Sequence, residues 1–155
     1  SLTETYEDEE MPHDSLDYDN PFEHPDFVPN YQRMRYGLTT ALLGDGYFSY
    51  EISTNGHGSL GLMWFDEYDN AGRRRGYLGL PREAAVIIMT AGDGNVWKRA
   101  YEGGIIICNP TNAEVTVDLG NWYHLIYGQQ VPEINTGERV REVTIGPRDG
   151  RILIN

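Results

Sequence analysis

Between residues 31 and 43 the apolar positions Tyr31, Met34, Leu38, Ala41 and Leu42 recur at three- and four-residue steps, the spacing that lines one face of an α-helix. Asn30 stands where a side-chain oxygen can cap the first turn, and Gly44 ends the run, so the pattern predicts a helix over 30–43. Gly44-Asp45-Gly46 then turns the chain into the β-prone stretch Tyr47 to Ile52, and Asn55-Gly56-His57-Gly58 separates it from a second apolar stretch, Leu60 to Phe65. From residue 76 onward, short apolar and β-branched segments alternate with turn residues: 85 to 89, 96 to 102, 104 to 108, 115 to 119, 123 to 127, 142 to 145 and 151 to 154. Asp93-Gly94, Glu102-Gly103-Gly104, Asn109-Pro110-Thr111-Asn112, Asn135-Thr136-Gly137 and Pro147-Arg148-Asp149-Gly150 supply the positions that hairpin connections require. Seven such segments predict a mainly β fold, an antiparallel β-sandwich over residues 76–155. Its expected inward side chains are Ile105, Ile107, Val115, Val117, Leu125, Val143, Ile152 and Ile154.

Residues 1–29 lack this periodicity. They carry Pro12, Pro21, Pro25 and Pro29, and ten acidic residues up to Asp26 without one Lys or Arg, which predicts an acidic extended arm or long loop. Tyr6, Tyr18, Phe22 and Phe27 argue that part of this arm lies against another surface. Three parts follow: the arm over 1–29, a helix-strand-strand segment over 30–75, and the β-sandwich over 76–155. A chain of 155 residues supports one ordinary core and not two full domains.

Charge narrows the partners. Twenty-four acidic against 12 basic residues leave a formal net charge of -12, a field that repels nucleic-acid phosphates and anionic lipid and excludes nucleic acid as an expected partner. No apolar run approaches the roughly 20 residues a membrane-spanning helix needs, so a soluble chain is expected. The opening Ser in place of Met fits a polypeptide that continues upstream. Cys108 is the only cysteine, and its apolar setting after Ile105-Ile106-Ile107 predicts an inert core thiol.

Two stretches are familiar together. The run from Val96-Trp97-Lys98-Arg99 through Gly104-Ile105-Ile106-Ile107-Cys108-Asn109-Pro110-Thr111, then Val117-Asp118-Leu119, closed by Pro147-Arg148-Asp149-Gly150 and a last apolar strand, resembles the C-terminal β-sandwich of many barrel glycosidases. Upstream, Gln32 through Phe48 and then Trp64-Phe65-Asp66-Glu67-Tyr68-Asp69 resemble the last barrel segments of a glycoside hydrolase family known mainly from sequence. The resemblance implies that the helix is one of the final barrel helices, that Tyr47 to Ile52 is the last barrel strand, and that the Asp66 region lies in a loop near the sugar site. A (β/α)₈ barrel needs about 200 residues or more, so this chain is expected to be a non-catalytic C-terminal part of a secreted or cell-surface enzyme, not a complete one.

Glycoside hydrolysis uses two carboxyl groups, one as acid and one as nucleophile or base. The resemblance places Glu4 at the end of the penultimate barrel strand, as a catalytic carboxylate of the parent barrel; the competing reading is a solvated acid in an acidic tail. Trp64 beside Asp66 and Glu67 combines an aromatic face for sugar C–H groups with acceptors for paired hydroxyls, and His57 in its Gly-flanked loop is a further candidate for substrate contact. The oxygen-rich run Asp66, Glu67 and Asp69 also suits calcium, although it is no EF-hand loop, and a plain surface turn is the third reading. No other cofactor is expected. The histidines lack zinc spacing, and Arg73-Arg74-Arg75 reads as solvated charge.

Two other classes compete. A structural subunit of an extracellular assembly could add its arm as a strand to the open edge of a neighbouring copy. A carbohydrate-binding module would present aromatics in line, with Trp97, Trp122 and Tyr123 as candidates. The expected partners are carbohydrate, with either the upstream catalytic barrel or neighbouring copies of the same chain.

Overall fold

The computed structural model describes residues 28–50, 64–68 and 78–155. The arm up to residue 27, the loop bearing His57 and the Arg73 to Arg75 run lie outside the described residues.

The helix forms where its periodicity and caps placed it. Helix α1 spans Tyr31–Leu43; the Asn30 side chain accepts from Arg33 N–H at 2.9 Å, and Gly44 N–H closes the far end on Ala41 O. Six strands follow among the described residues: β1 (Val86–Ala91), β2 (Gly94–Tyr101), β3 (Gly104–Asn109), β4 (Val115–Leu125), β5 (Arg139–Ile145) and β6 (Asp149–Ile154). A 3₁₀ turn, Asp66–Tyr68, lies between helix and strands.

Every strand pairing is antiparallel, and the order is β1-β2-β3-β6-β4-β5, so the last strand enters between β3 and β4. All six belong to one sheet. This departs from the expected sandwich of two facing sheets: the single sheet curls into a half-barrel. The curl is visible in the core, where Val96 of β2 shares a cluster with Val143 and Ile145 of β5, four places away in the strand order. Two inner faces are thus replaced by one concave face closing on itself.

β3 explains why the Ile105-Ile106-Ile107 run does not alternate. Ile105 and Ile107 enter the concave cluster with Leu153, whereas Ile106 joins Met34, Leu38 and Ile152 in a second cluster under α1. A strand covered on both faces reads as a continuous apolar run. For the same reason the expected core divides: Ile105, Ile107, Val115, Val117 and Val143 line the concave side, Leu125 is partly buried against them, and Ile152 and Ile154 face the helix cluster. Gly104 sits where a Cβ would collide with the Leu153 backbone, so only glycine lets β3 and β6 approach. Cys108 is 1 % exposed, with Sγ 3.5 Å from Thr40 Oγ1, and burial pushes its thiol up, away from the nucleophilic thiolate.

Several segment boundaries differ from the sequence pattern: β1 runs to Ala91 and β5 starts at Arg139, beyond the expected 85–89 and 142–145. The stretches 115–119 and 123–125 are one strand, β4, interrupted by a bulge between Asp118 and Tyr123; Gly120 adopts φ 70° there, and Asp118 Oδ1 accepts its N–H at 2.9 Å. Residues 47–50 form no strand, although Phe48 and Tyr50 pack against the helix-side cluster. Trp64 and Phe65, the end of the second predicted stretch, are also irregular.

Candidate functional site

The site grows from charged residues that the packing of α1 on the sheet encloses. Arg35 lies on the covered side of the helix beside Met34 and Leu38, and β6 begins at Asp149 opposite it. Arg35 Nε and Nη2 donate to the two Asp149 carboxylate oxygens, each at 2.9 Å, and Arg151 Nη1 donates to Oδ2 at 2.7 Å. Gly150 N–H adds a fourth donor, to Oδ1 at 2.8 Å. All three charged side chains are buried. Burial lowers the Arg151 guanidinium, and Asp149 beside it acts in the opposite sense.

Helix α1 is held at its other end as well. Arg99 of β2 donates to Leu42 O, Gly44 O and Asp45 Oδ1, and the Tyr101 hydroxyl donates to Leu42 O. A cation at the carbonyl end of a helix also meets the negative end of its dipole. The Asn-Pro-Thr turn does comparable work inside the sheet. Asn109, fully buried, donates to Ala113 O, Ile145 O and Gly146 O and accepts from Thr111 N–H and Oγ1–H, tying the end of β3 to the β5–β6 turn.

Residues 64 to 68 are clasped between α1 and the loop that follows β4. Phe65 is fully buried and meets Tyr31, Tyr50 and Tyr68 edge-on, with ring centroids 5.3–6.0 Å apart. Gln130 donates to Trp64 O and accepts from Asp66 N–H. Asp66 Oδ2 accepts from Gln129 and Gln130 N–H, both at 2.8 Å. Glu67 is 5 % exposed and accepts from Asn135 Nδ2 at 3.1 Å. Burial raises its carboxyl above the usual range, while the Asn135 hydrogen bond and Arg35 counteract this. The Tyr68 phenol is pushed up to about 12, mainly by burial and then by Glu67.

The proposed site residues therefore separate. Trp64 is 65 % exposed, with its carbonyl held by Gln130 and its ring edge-on to Tyr68. Asp66 and Glu67 turn to different partners and hold the chain to itself, so they do not form a joint acceptor pair beside Trp64. Glu4, His57 and Asp69 lie outside the described residues, and among the described residues no group of three or more His, Cys, Asp or Glu side chains is placed to hold a metal. The three aromatics considered for a binding module are not equivalent. Trp122 is half-exposed with the Arg139 guanidinium 4.9 Å from its ring centre, Trp97 is partly buried, and Tyr123 packs against the concave core.

Arg35, Asn135, Asp149 and Arg151 are absent from the sequence-derived site. A signal existed for Arg35: it stands one helical turn after Tyr31 and beside Met34 and Leu38, and a cation on an apolar face needs a buried partner. Which acid would meet it 114 residues later had no local signal. Between α1, the 130–134 loop and the β5–β6 turn an open groove of about 680 Å³ is lined by Tyr31, Gln32, Gln130, Glu133 and Pro147 and reaches down to this charged cluster.

No helix among the described residues is long and apolar enough to cross a membrane. No family model matches the chain, and no curated protein or solved structure matches it either.

Proposed function

We propose that residues 78–155 are the non-catalytic β domain of a secreted or cell-surface glycoside hydrolase, and that α1 belongs to the end of the catalytic barrel on which this domain sits. The observation that carries the reading is the buried grip of Arg35 on Asp149. A domain that closes a barrel needs a fixed seat on one of its helices, and here one helix is latched at both ends while aromatic and aliphatic side chains fill the space between. Trp64 and the groove beside Gln130 supply an exposed aromatic face and a cleft of ligand size next to that seat, in keeping with a contribution to sugar binding. Catalytic carboxylates, Glu4 among them, would belong to the barrel.

The test is the intact mass of the polypeptide isolated from its source, followed by assay of that polypeptide on a panel of glycans. A chain far heavier than 17.6 kDa that hydrolyses one of them supports the reading. A heavier chain without hydrolysis, or a 17.6 kDa chain, overturns it.

A second reading has its own observation. β1 is a sheet edge with Val86 and Ile87 about half-exposed, so a neighbouring copy could add a strand there, as in a structural subunit of an extracellular assembly. A 17.6 kDa chain eluting as a large assembly would favour that alternative.

A further inference from the structure

Two opposite charges border one small cavity without touching. Arg35 Nε and Nη2 are engaged by Asp149, but its buried Nη1 has no hydrogen-bond partner among the described residues. Glu67, equally buried, accepts from Asn135, and no ion pair joins it to Arg35 or Arg151. Both Arg35 and Glu67 line a cavity of about 10 Å³, together with Thr39, Asn135 and Arg151. That volume is close to the least that accommodates one water molecule, and water enters such a space when polar groups can hold it. Arg35 offers a donor and Glu67 an acceptor on its walls. Asp149 cannot complete the set, since its oxygens already take four donors.

We propose that this cavity is an internal solvent site: one water accepts a hydrogen bond from Arg35 Nη1 and donates one to the Glu67 carboxylate. The bridge joins two cations, Arg35 and Arg151, with two anions, Asp149 and Glu67, in one network. It thereby fastens the segment bearing Trp64 to both α1 and β6. A polar bridge of this kind also selects geometry, because an apolar contact would tolerate sliding of the segment and a water-bridged pair does not.

A high-resolution crystal structure of the 155-residue chain, with xenon pressurisation of the same crystals, tests this. The expected result is one density peak about 2.7–3.2 Å from both Arg35 Nη1 and a Glu67 oxygen, with no xenon in the cavity. A direct Arg35–Glu67 contact that closes the space, a cavity without density, or xenon within it overturns the proposal. In solution, the Asn135 side-chain amide should show cross-relaxation to a long-lived water that persists in Glu67→Gln and vanishes in Glu67→Leu. Persistence in a folded Glu67→Leu variant would remove Glu67 from the site, and the wild-type crystal decides the matter if that variant does not fold.

Discussion

The guanidinium of Arg35 meets the carboxylate of Asp149 side-on, through two parallel hydrogen bonds of 2.9 Å, across 114 residues of sequence and with both side chains below 10 % exposure. This pair decides where α1 sits, because a buried carboxylate facing Arg151 alone would lose two of its three charged donors. Removing one partner leaves the other charge enclosed without compensation, so Arg35→Ala should lower stability by about 3–5 kcal/mol. Arg35→Lys should also destabilise, since an ammonium cannot reproduce the two-pronged contact. Urea denaturation checks both, and a midpoint equal to wild type would show that the pair contributes nothing.

The concave core gives a second expectation. Ile107 is fully buried among Val96, Val117 and Leu153 in that cluster, and Ile107→Ala should cost about 2–5 kcal/mol. An unchanged melting temperature would contradict the assignment of β3 to the centre of the sheet.

Gly150 lies under Thr39, and a Cβ at position 150 would overlap that side chain. Gly150→Ala should therefore separate α1 from β6 and destabilise by about 1–3 kcal/mol, as overpacking does elsewhere. Gly146, by contrast, has nothing within 4 Å of such a Cβ, and Gly146→Ala serves as the control in the same denaturation experiment.

Glu67 links stability to pH. Its folded-state pKa is raised above the ordinary 4.5, chiefly by burial, so the folded state binds the proton more tightly than the unfolded chain does. Its contribution is then fully present below the unfolded pKa and is lost as pH rises through the folded pKa. Glu67→Gln should remove this dependence, so the stability of wild type relative to Glu67→Gln should decline as pH rises from about 4 toward neutrality. Denaturation midpoints of both proteins across that range measure it; a parallel pair of curves would show that Glu67 is not held in a raised state.

Local chemistry made much of the fold legible. The three- and four-residue spacing from Tyr31 to Leu42, Asn30 before it and Gly44 after it specify α1 without reference to the rest of the chain, because caps and helical periodicity act within a few residues. The strand segments after residue 85 were legible in the same way, since turn residues and β-branched runs are neighbours in sequence. The Asn109-Pro110-Thr111 turn falls where that punctuation put it, and the first hairpin turns at Gly92-Asp93, one residue before the Asp93-Gly94 pair that the pattern marks.

What tertiary structure alone decided is which surfaces meet. Alternation shows that Ile105 and Ile107 share a face, but whether that face closes on a second sheet or on the curl of its own depends on β6 entering between β3 and β4, a pairing of distant segments. The candidate site shifted for the same reason. Trp64, Asp66 and Glu67 look like one sugar-binding set because they are close in sequence, yet the loop at 129–135 engages one oxygen of each acid and leaves the indole outward. The apolar helix face marks Arg35 as a charge in need of a partner; that it meets Asp149 beside Arg151 is decided by burial, which penalises an unpaired charge far more strongly in the interior than at the surface.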